Sequence, residues 1–306
     1  MAGPETPDAT GASPLKTAIR DWWSECPMTY ADTHGGTEYR DADGRLIAVL
    51  PGSREFFAKA DEIFYRWNEP LHVGSRRFAR LFDYDRHAGG QVLEVGCGMG
   101  AMAMNWAMAG ARVTAVDLNP VAVAMTRRRF ELFNLNGTII EADGETLPFA
   151  DGQFDFAYSW GVLHHTPGTR RAIAELIRVL KPGGGVGVML YHRHSLLYWY
   201  GIRYIEGCLN MERLFLNARQ LASRYTDGAR QEGNPYTWPV TQREAMEDMF
   251  ALTEDVHIRV LGTDVVPILE QWASRLGSGD LPLSGVKALA RRWGWSLWIT
   301  AVKSAD

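Results

Sequence analysis

The stretch Val92-Leu93-Glu94-Val95-Gly96-Cys97-Gly98-Met99-Gly100 limits what this chain can fold into more than any other part of it. It reads as a short buried strand and a glycine-rich turn, then an apolar helix-forming run from Met99 to Ala109 that Gly110 stops as a C′ residue. A strand–turn–helix unit brings backbone against a ligand at a helix N-terminus, where free N–H groups and the helix dipole favour negative charge. The glycines run G-x-G-x-G rather than the G-x-G-x-x-G of a dinucleotide fingerprint. They therefore fix a fold element before they fix a ligand.

A second strand, Arg112 to Val116, ends in Asp117, 23 residues after Glu94. Ligands of parallel sheets lie at the carboxyl ends of the strands, and a carboxylate at the end of the second strand suits a ribose hydroxyl pair. A plain helix-capping role for Asp117 is the competing reading. Asn119 is placed to cap the next helix, with Pro120 at its first position. A third strand, Thr138 to Asp143, again ends in a carboxylate. Gly144 to Phe149 follows, then a fourth strand, Phe154 to Ser159, leading into Trp160-Gly161-Val162-Leu163-His164-His165. Ile173, Leu176, Ile177 and Leu180 give a helix one apolar face, Lys181 to Gly185 ends it, and Val186 to Leu190 makes a fifth strand.

The segments Val92–Gly100, Val113–Pro120, Glu141–Phe149, Phe154–His165 and Arg178–Gly184 resemble, in order and spacing, those of class I S-adenosylmethionine-dependent methyltransferases. The LPF…FD…LHH…RVLKPGG pattern is similar to that of the small-molecule and quinone-type subgroup. The resemblance covers roughly Gly89 to Tyr191. It implies an α/β, Rossmann-like fold with a seven-stranded, mostly parallel sheet of order 3-2-1-4-5-7-6. Val256–Leu261 would be the sixth strand and Trp295–Val302 an antiparallel seventh. It implies S-adenosylmethionine as cofactor, S-adenosylhomocysteine as product, and a small organic acceptor.

The cofactor residues that the resemblance implies are Glu94 near the ammonium and Gly96, Cys97, Gly98 and Gly100 against the methionine and ribose. Asp117 would take the ribose hydroxyls, with Leu118 and Asn119 beside the adenosine, and Asp143 the adenine amine, with Gly144 and Glu145 close by. Ser159, Trp160 and His164 would line the methionine side. Cys97 reads as a small residue that fits the turn rather than a nucleophile. If the acceptor must lose a proton early, the candidate bases are His165, His164 and His192; a structural role for the His164-His165 pair competes. His192 and His194 alternate, but no cysteine or carboxylate stands beside them at ligand spacing, so no metal site is expected.

Composition agrees with an enzyme of this kind. The chain has 306 residues, 46% of them hydrophobic, and a net charge of −4, with no long basic run to suit nucleic acid. Three scattered cysteines suit a reducing cytoplasm rather than a disulfide framework. No apolar stretch reaches membrane-spanning length and no signal-peptide core is visible, so no membrane partner is expected. A homodimer is compatible with everything in the sequence.

The domain plan is a disordered segment 1–14, an aromatic and helical cap 15–88, and the methyltransferase domain 89–306 with a lid-like insertion 191–252. Within the cap, Asp43-Gly44 marks a hairpin turn, and Phe56–Asn68 and Ser75–Asp83 read as helices. The stretch Tyr191 to Arg230 is aromatic and carries six arginines, 193, 203, 213, 219, 224 and 230, against Glu206, Glu212 and Asp227. Tyr191, Arg193, Tyr198, Trp199 and Arg203 are the acceptor-binding candidates, since guanidinium groups suit an anionic group on an apolar acceptor. A helical hairpin with aromatic core and solvated arginines is the competing reading.

Three other functions compete with this reading. Amino-methylating DNA enzymes of this fold carry (D/N/S)PP(Y/F/W) where this chain has Ser159-Trp160-Gly161-Val162. Glycine spacing and the Glu141–Phe149 segment argue against a nicotinamide oxidoreductase. A non-catalytic cofactor-binding module is the remaining alternative.

Overall fold

The computed structural model describes residues 13–33, 35–227, 233–262, 265, 268–269 and 283–305. The segment 1–12, expected to be disordered, and Arg230 lie outside them. A seven-stranded sheet has the order β5 (Gly137–Glu141), β4 (Arg112–Asp117), β3 (Gln91–Val95), β6 (Phe154–Trp160), β7 (Leu180–Tyr191), β9 (Ser296–Lys303), β8 (Thr253–Leu261). In strand rank this is the expected 3-2-1-4-5-7-6. The chain divides into two compact units, Met1–Phe156 and Ala157–Asp306.

In the first unit, helix α1 (Pro14–Glu25) opens on Ser13, whose side chain accepts the Lys16 N–H, with Pro14 in the first turn. Residue 14 is thus helical rather than part of the preceding segment. Strands β1 (Glu38–Arg40) and β2 (Leu46–Ala48) form an antiparallel hairpin. Its turn is the expected one: Gly44 has φ +79°, and Asp41 accepts the Asp43 and Arg45 N–H groups, both at 2.9 Å. Helix α2 (Arg54–Trp67), capped by Ser53, buries Phe56, Phe57, Ala60 and Phe64 on one face.

The expected helix over Ser75–Asp83 does not form. His72 Nδ1 accepts the Phe78 N–H at 3.0 Å, Val73 and Arg76 make a bridge, and buried Phe78 sits at φ +53°. A left-handed residue with its N–H committed to a side chain cannot continue a helix.

The parallel layers then alternate. Strand β3 (Gln91–Val95) is followed by α3 (Ala101–Met108), β4 (Arg112–Asp117), α4 (Pro120–Leu132) and β5 (Gly137–Glu141). Helix α3 starts two residues later than its apolar run because Gly100, at φ +73°, is its N-cap. Strand β5 stops at Glu141, opposite Asp117, so Asp143 lies in the turn beyond it. Arg129 on α4 is fully buried, bidentate to Asp61 of α2 at 2.7 and 2.8 Å and over the Phe57 ring at 4.4 Å.

In the second unit, α5 (Thr169–Val179) buries Ala172, Ile173, Leu176 and Val179. Strand β7 (Leu180–Tyr191) begins immediately after it, so Lys181 to Gly185 ends the helix by becoming strand rather than loop. Lys303 holds that junction through the Arg178 and Leu180 carbonyls, at 2.9 and 2.8 Å. Strand β9 (Ser296–Lys303) is antiparallel to both β7 and β8 (Thr253–Leu261), which carries an irregularity between Glu254 and His257.

The insertion after β7 supplies its own helices: Leu197–Leu209 with π-type hydrogen bonding, α6 (Ala218–Tyr225) with an Asn217–Gln220 capping box, and a short turn from Gln242 to Met249. No helix among the described residues is long and apolar enough to cross a membrane.

Candidate functional site

In the first unit the glycine turn, the end of β4 and the turn after β5 form one hydrogen-bonded assembly. Gly96, Gly98 and Gly100 have φ of +83°, +52° and +73°. Only glycine takes three such residues in five positions without strain. The Asp117 carboxylate is the hub: Oδ2 accepts the Gly98 N–H and Oδ1 the Asn119 N–H, each at 2.9 Å. Burial pushes the Asp117 carboxyl up from the ordinary carboxylate value, and these backbone donors only partly oppose it.

Thr126 of α4, fully buried, donates its hydroxyl to the Gly98 carbonyl at 2.9 Å. A Cβ on Gly100 would meet Thr126 Cγ2 at 2.8 Å, whereas one on Gly98 would meet nothing within 4 Å. The turn is thus braced from α4 and open on its other side. Glu94 is buried on β3. Burial pushes the Cys97 thiol well up, so Cys97 is a packing residue of the turn.

The Ala142 N–H donates to the Asp117 carbonyl at 3.0 Å, which ties the two strand ends together. Asp143 Oδ1 accepts the Glu145 N–H at 2.9 Å across Gly144. Lys16 of α1 pairs with the carboxylates of both Asp143 and Glu145. Asn119 caps α4 through Val121 N at 2.8 Å and also binds α1, donating to the Trp23 carbonyl at 2.7 Å and accepting from Ser24 at 3.1 Å. Leu118 lies half-buried between Asp117 and Asn119. Sequence reasoning missed Lys16 and Thr126. Nothing local marks either, because each reaches its partner through tertiary packing.

The second unit holds the remaining candidates. Ser159 is fully buried, and the Trp160 ring lies 5.7 Å from Trp298. His164 and His165 adjoin Tyr191, with His164 3.6 Å from the Tyr191 ring centroid. The His165 Nε2 atom lies 3.1 Å from Asp227 Oδ2, which also accepts the Tyr191 hydroxyl at 2.6 Å. In the sequence Asp227 is only a charge among arginines; the fold makes it a partner of His165. His192 faces elsewhere: its Nδ1 is 3.1 Å from the Gly294 carbonyl, and burial pushes its imidazole down.

The acceptor candidates also separate. Arg193 binds Glu244 and the Pro239 carbonyl, both at 2.9 Å, and lies over Trp238, so most of its guanidinium clamps the insertion. Tyr198 is buried. Trp199 and Arg203, in contrast, border a cavity of about 360 Å³ with Tyr204, Arg213 and Leu216. Of the other arginines, Arg219 lies over Tyr236, and Arg224 pairs with Glu212 at 3.7 Å.

Residues 92–184 match the family model of a methyltransferase domain. The match runs from the glycine turn to the end of the helix–strand junction at Gly184. Over 128 residues the chain is 34% identical to a malonyl-[acyl-carrier protein] O-methyltransferase of Pectobacterium atrosepticum, covering 42% of this chain and 48% of that one. It is 39% identical over 98 residues to a phthiotriol/phenolphthiotriol dimycocerosates methyltransferase of Mycobacterium tuberculosis, covering 31% and 36%. The chain thus spans about half or less of the length of these curated relatives.

Among solved structures, a SAM-dependent methyltransferase from Methanosarcina mazei shares the fold with a TM-score of 0.50 at 20% identity, over 74% of this chain and 97% of that one. The [4+2]-cyclase SpnF does so with a TM-score of 0.51 at 17% identity, over 99% and 98%. The segment matched by the family model thus carries the glycine turn, Asp117 and Asp143, while Lys16 and Asp227 lie outside that segment.

Proposed function

We propose that the protein transfers a methyl group from S-adenosylmethionine to a small organic acceptor and leaves S-adenosylhomocysteine. The observation that carries this is the pairing of an open glycine turn with a carboxylate at the end of β4 and another just past β5. The residues fit the cofactor. The open side of Gly98 admits a close approach, Asp117 holds its position through two backbone donors while keeping lone pairs for a diol, and Asp143 is an acceptor for an exocyclic amine. Glu94, buried behind the turn, suits a cationic amine.

When bound, the cofactor supplies a methyl group on a sulfonium, which leaves readily in an in-line displacement. The chain then needs chiefly to orient the nucleophile and exclude water. The relatives' names point to acyl and lipid-like acceptors. The exposed apolar residues of the insertion, Trp199, Tyr204, Leu209, Leu214 and Phe215, support an acceptor with an apolar body. Labelled S-adenosylmethionine incubated with acyl, polyketide and phenolic acceptors tests the reading. Labelled methyl product is expected. Tight cofactor binding without transfer to any of them would favour a cofactor-binding module instead.

A further inference from the structure

We infer that His164, His165 and Asp227 form a binding site for a divalent transition-metal ion. One ligand atom from each lies within 4.8 Å of the others. Two imidazoles and one carboxylate are a donor set suited to zinc, iron(II) or cobalt(II), and three protein ligands leave coordination positions open.

The hydrogen-bond network fixes which nitrogen of His165 is the ligand. Thr237 donates its single hydroxyl hydrogen to Asn234 Oδ1 at 2.8 Å, so its oxygen accepts from His165 Nδ1 at 2.9 Å. The Tyr236 carbonyl, 3.0 Å from the same nitrogen, can only accept. Nδ1 therefore carries the hydrogen, and the Nε2 lone pair faces Asp227 Oδ2 at 3.1 Å. A lone pair set against a carboxylate oxygen needs a cation or a proton between them.

His164 decides in favour of a metal. It is wholly buried, and neither ring nitrogen has a hydrogen-bond partner among the described residues. An imidazole left so is costly unless its nitrogen binds something. A metal ion answers both facts; a proton answers only the first. The outer contacts match those of metal sites, in which a ligating histidine donates its other N–H to a carbonyl and a ligating carboxylate is itself hydrogen-bonded. His165 does the first through Tyr236, and Asp227 the second through Tyr191.

Chelator-treated full-length protein titrated with Co²⁺ and followed by visible absorption tests the site without any turnover. One equivalent should bind with the absorption of a nitrogen- and oxygen-ligated ion. Competition between Zn²⁺ and a chromophoric chelator should give the same stoichiometry. Loss of an outer partner costs metal sites about 10–100-fold in affinity. Tyr191→Phe should fall in that range, His164→Gln and Asp227→Asn should lose more, and His257→Gln, at an exposed histidine, should lose nothing. Folded wild-type protein that takes up neither metal stoichiometrically would overturn the site and leave a His165–Asp227 contact without a metal. So would binding that survives Asp227→Asn. Either outcome leaves the methyl-transfer reading standing.

Discussion

The Lys16 ammonium lies 3.0 Å from Glu145 Oε2 and also pairs with the Asp143 carboxylate, across a sequence separation of 127 residues. Helix α1 thus neutralises the carboxylate proposed to accept the adenine amine. Because the ammonium and that amine compete for the same oxygens, Lys16→Met should tighten S-adenosylmethionine binding a few-fold. It should also lower Tm, because two partly buried carboxylates lose their counter-ion. Calorimetry and a melting curve read the two effects separately. Weaker cofactor binding would mean that Lys16 is part of the cradle rather than a competitor for it.

Asp117 both shapes the glycine turn and presents the proposed diol acceptor. Asp117→Ala removes the partner of the Gly98 and Asn119 N–H groups together with the ligand contact. A hydrogen bond to a charged group contributes about 1.5–3 kcal/mol, so affinity should fall by at least 10-fold. Thr126→Val removes only the hydroxyl that braces Gly98, and should weaken binding less while the fold persists. Unchanged affinity in the aspartate variant would remove Asp117 from the site.

Gly96, Gly98, Gly100 and Asp117 were legible because the turn depends on local backbone conformation and because strand ends put carboxylates at fixed intervals. Lys16 was not legible, since no local pattern tells a lysine on an amphipathic helix which distant carboxylate it will meet. Asp227 was hidden in the same way. Its partners His165 and Tyr191 are 62 and 36 residues away, whereas its sequence neighbours offer it only arginines to balance. The Ser75–Asp83 helix failed because apolar spacing does not register an imidazole capturing the Phe78 N–H. The strand begins at Leu180, five residues before its pairing with β9 starts at Gly185, and the Lys303 side chain holds the start of this proline- and glycine-bearing run through the Arg178 and Leu180 carbonyls.

Arg129 and Asp61 join α4 to α2 with no solvent exposure at the guanidinium. Removing one partner of a buried pair costs about 3–5 kcal/mol, because the other charge is stranded, while replacing the charge with an apolar group costs less. Asp61→Ala should therefore lower the urea midpoint sharply, and Asp61→Ala combined with Arg129→Met should recover part of the loss. A double variant no more stable than Asp61→Ala would show that the guanidinium contributes chiefly through packing on Phe57.

His72 sets a pH limit on the first unit. Its Nδ1 accepts the Phe78 N–H and its Nε2 donates to the Tyr65 carbonyl, both at 3.0 Å, so the folded state holds the neutral ring. Burial, the largest influence, pushes its pKa below the ordinary 6.5. Between that lowered value and 6.5, the unfolded chain binds a proton that the folded chain does not, so stability falls as pH drops through this window. Each such group contributes at most about 1.4 kcal/mol per pH unit. His87 and His192 are pushed the same way, so the informative measurement is a difference. Urea midpoints of wild type and His72→Gln, followed from pH 7.5 to about 5, should show a lower midpoint for the variant at neutral pH and a shallower decline on acidification. Parallel declines would mean that His72 takes up its proton equally well in the folded and unfolded states.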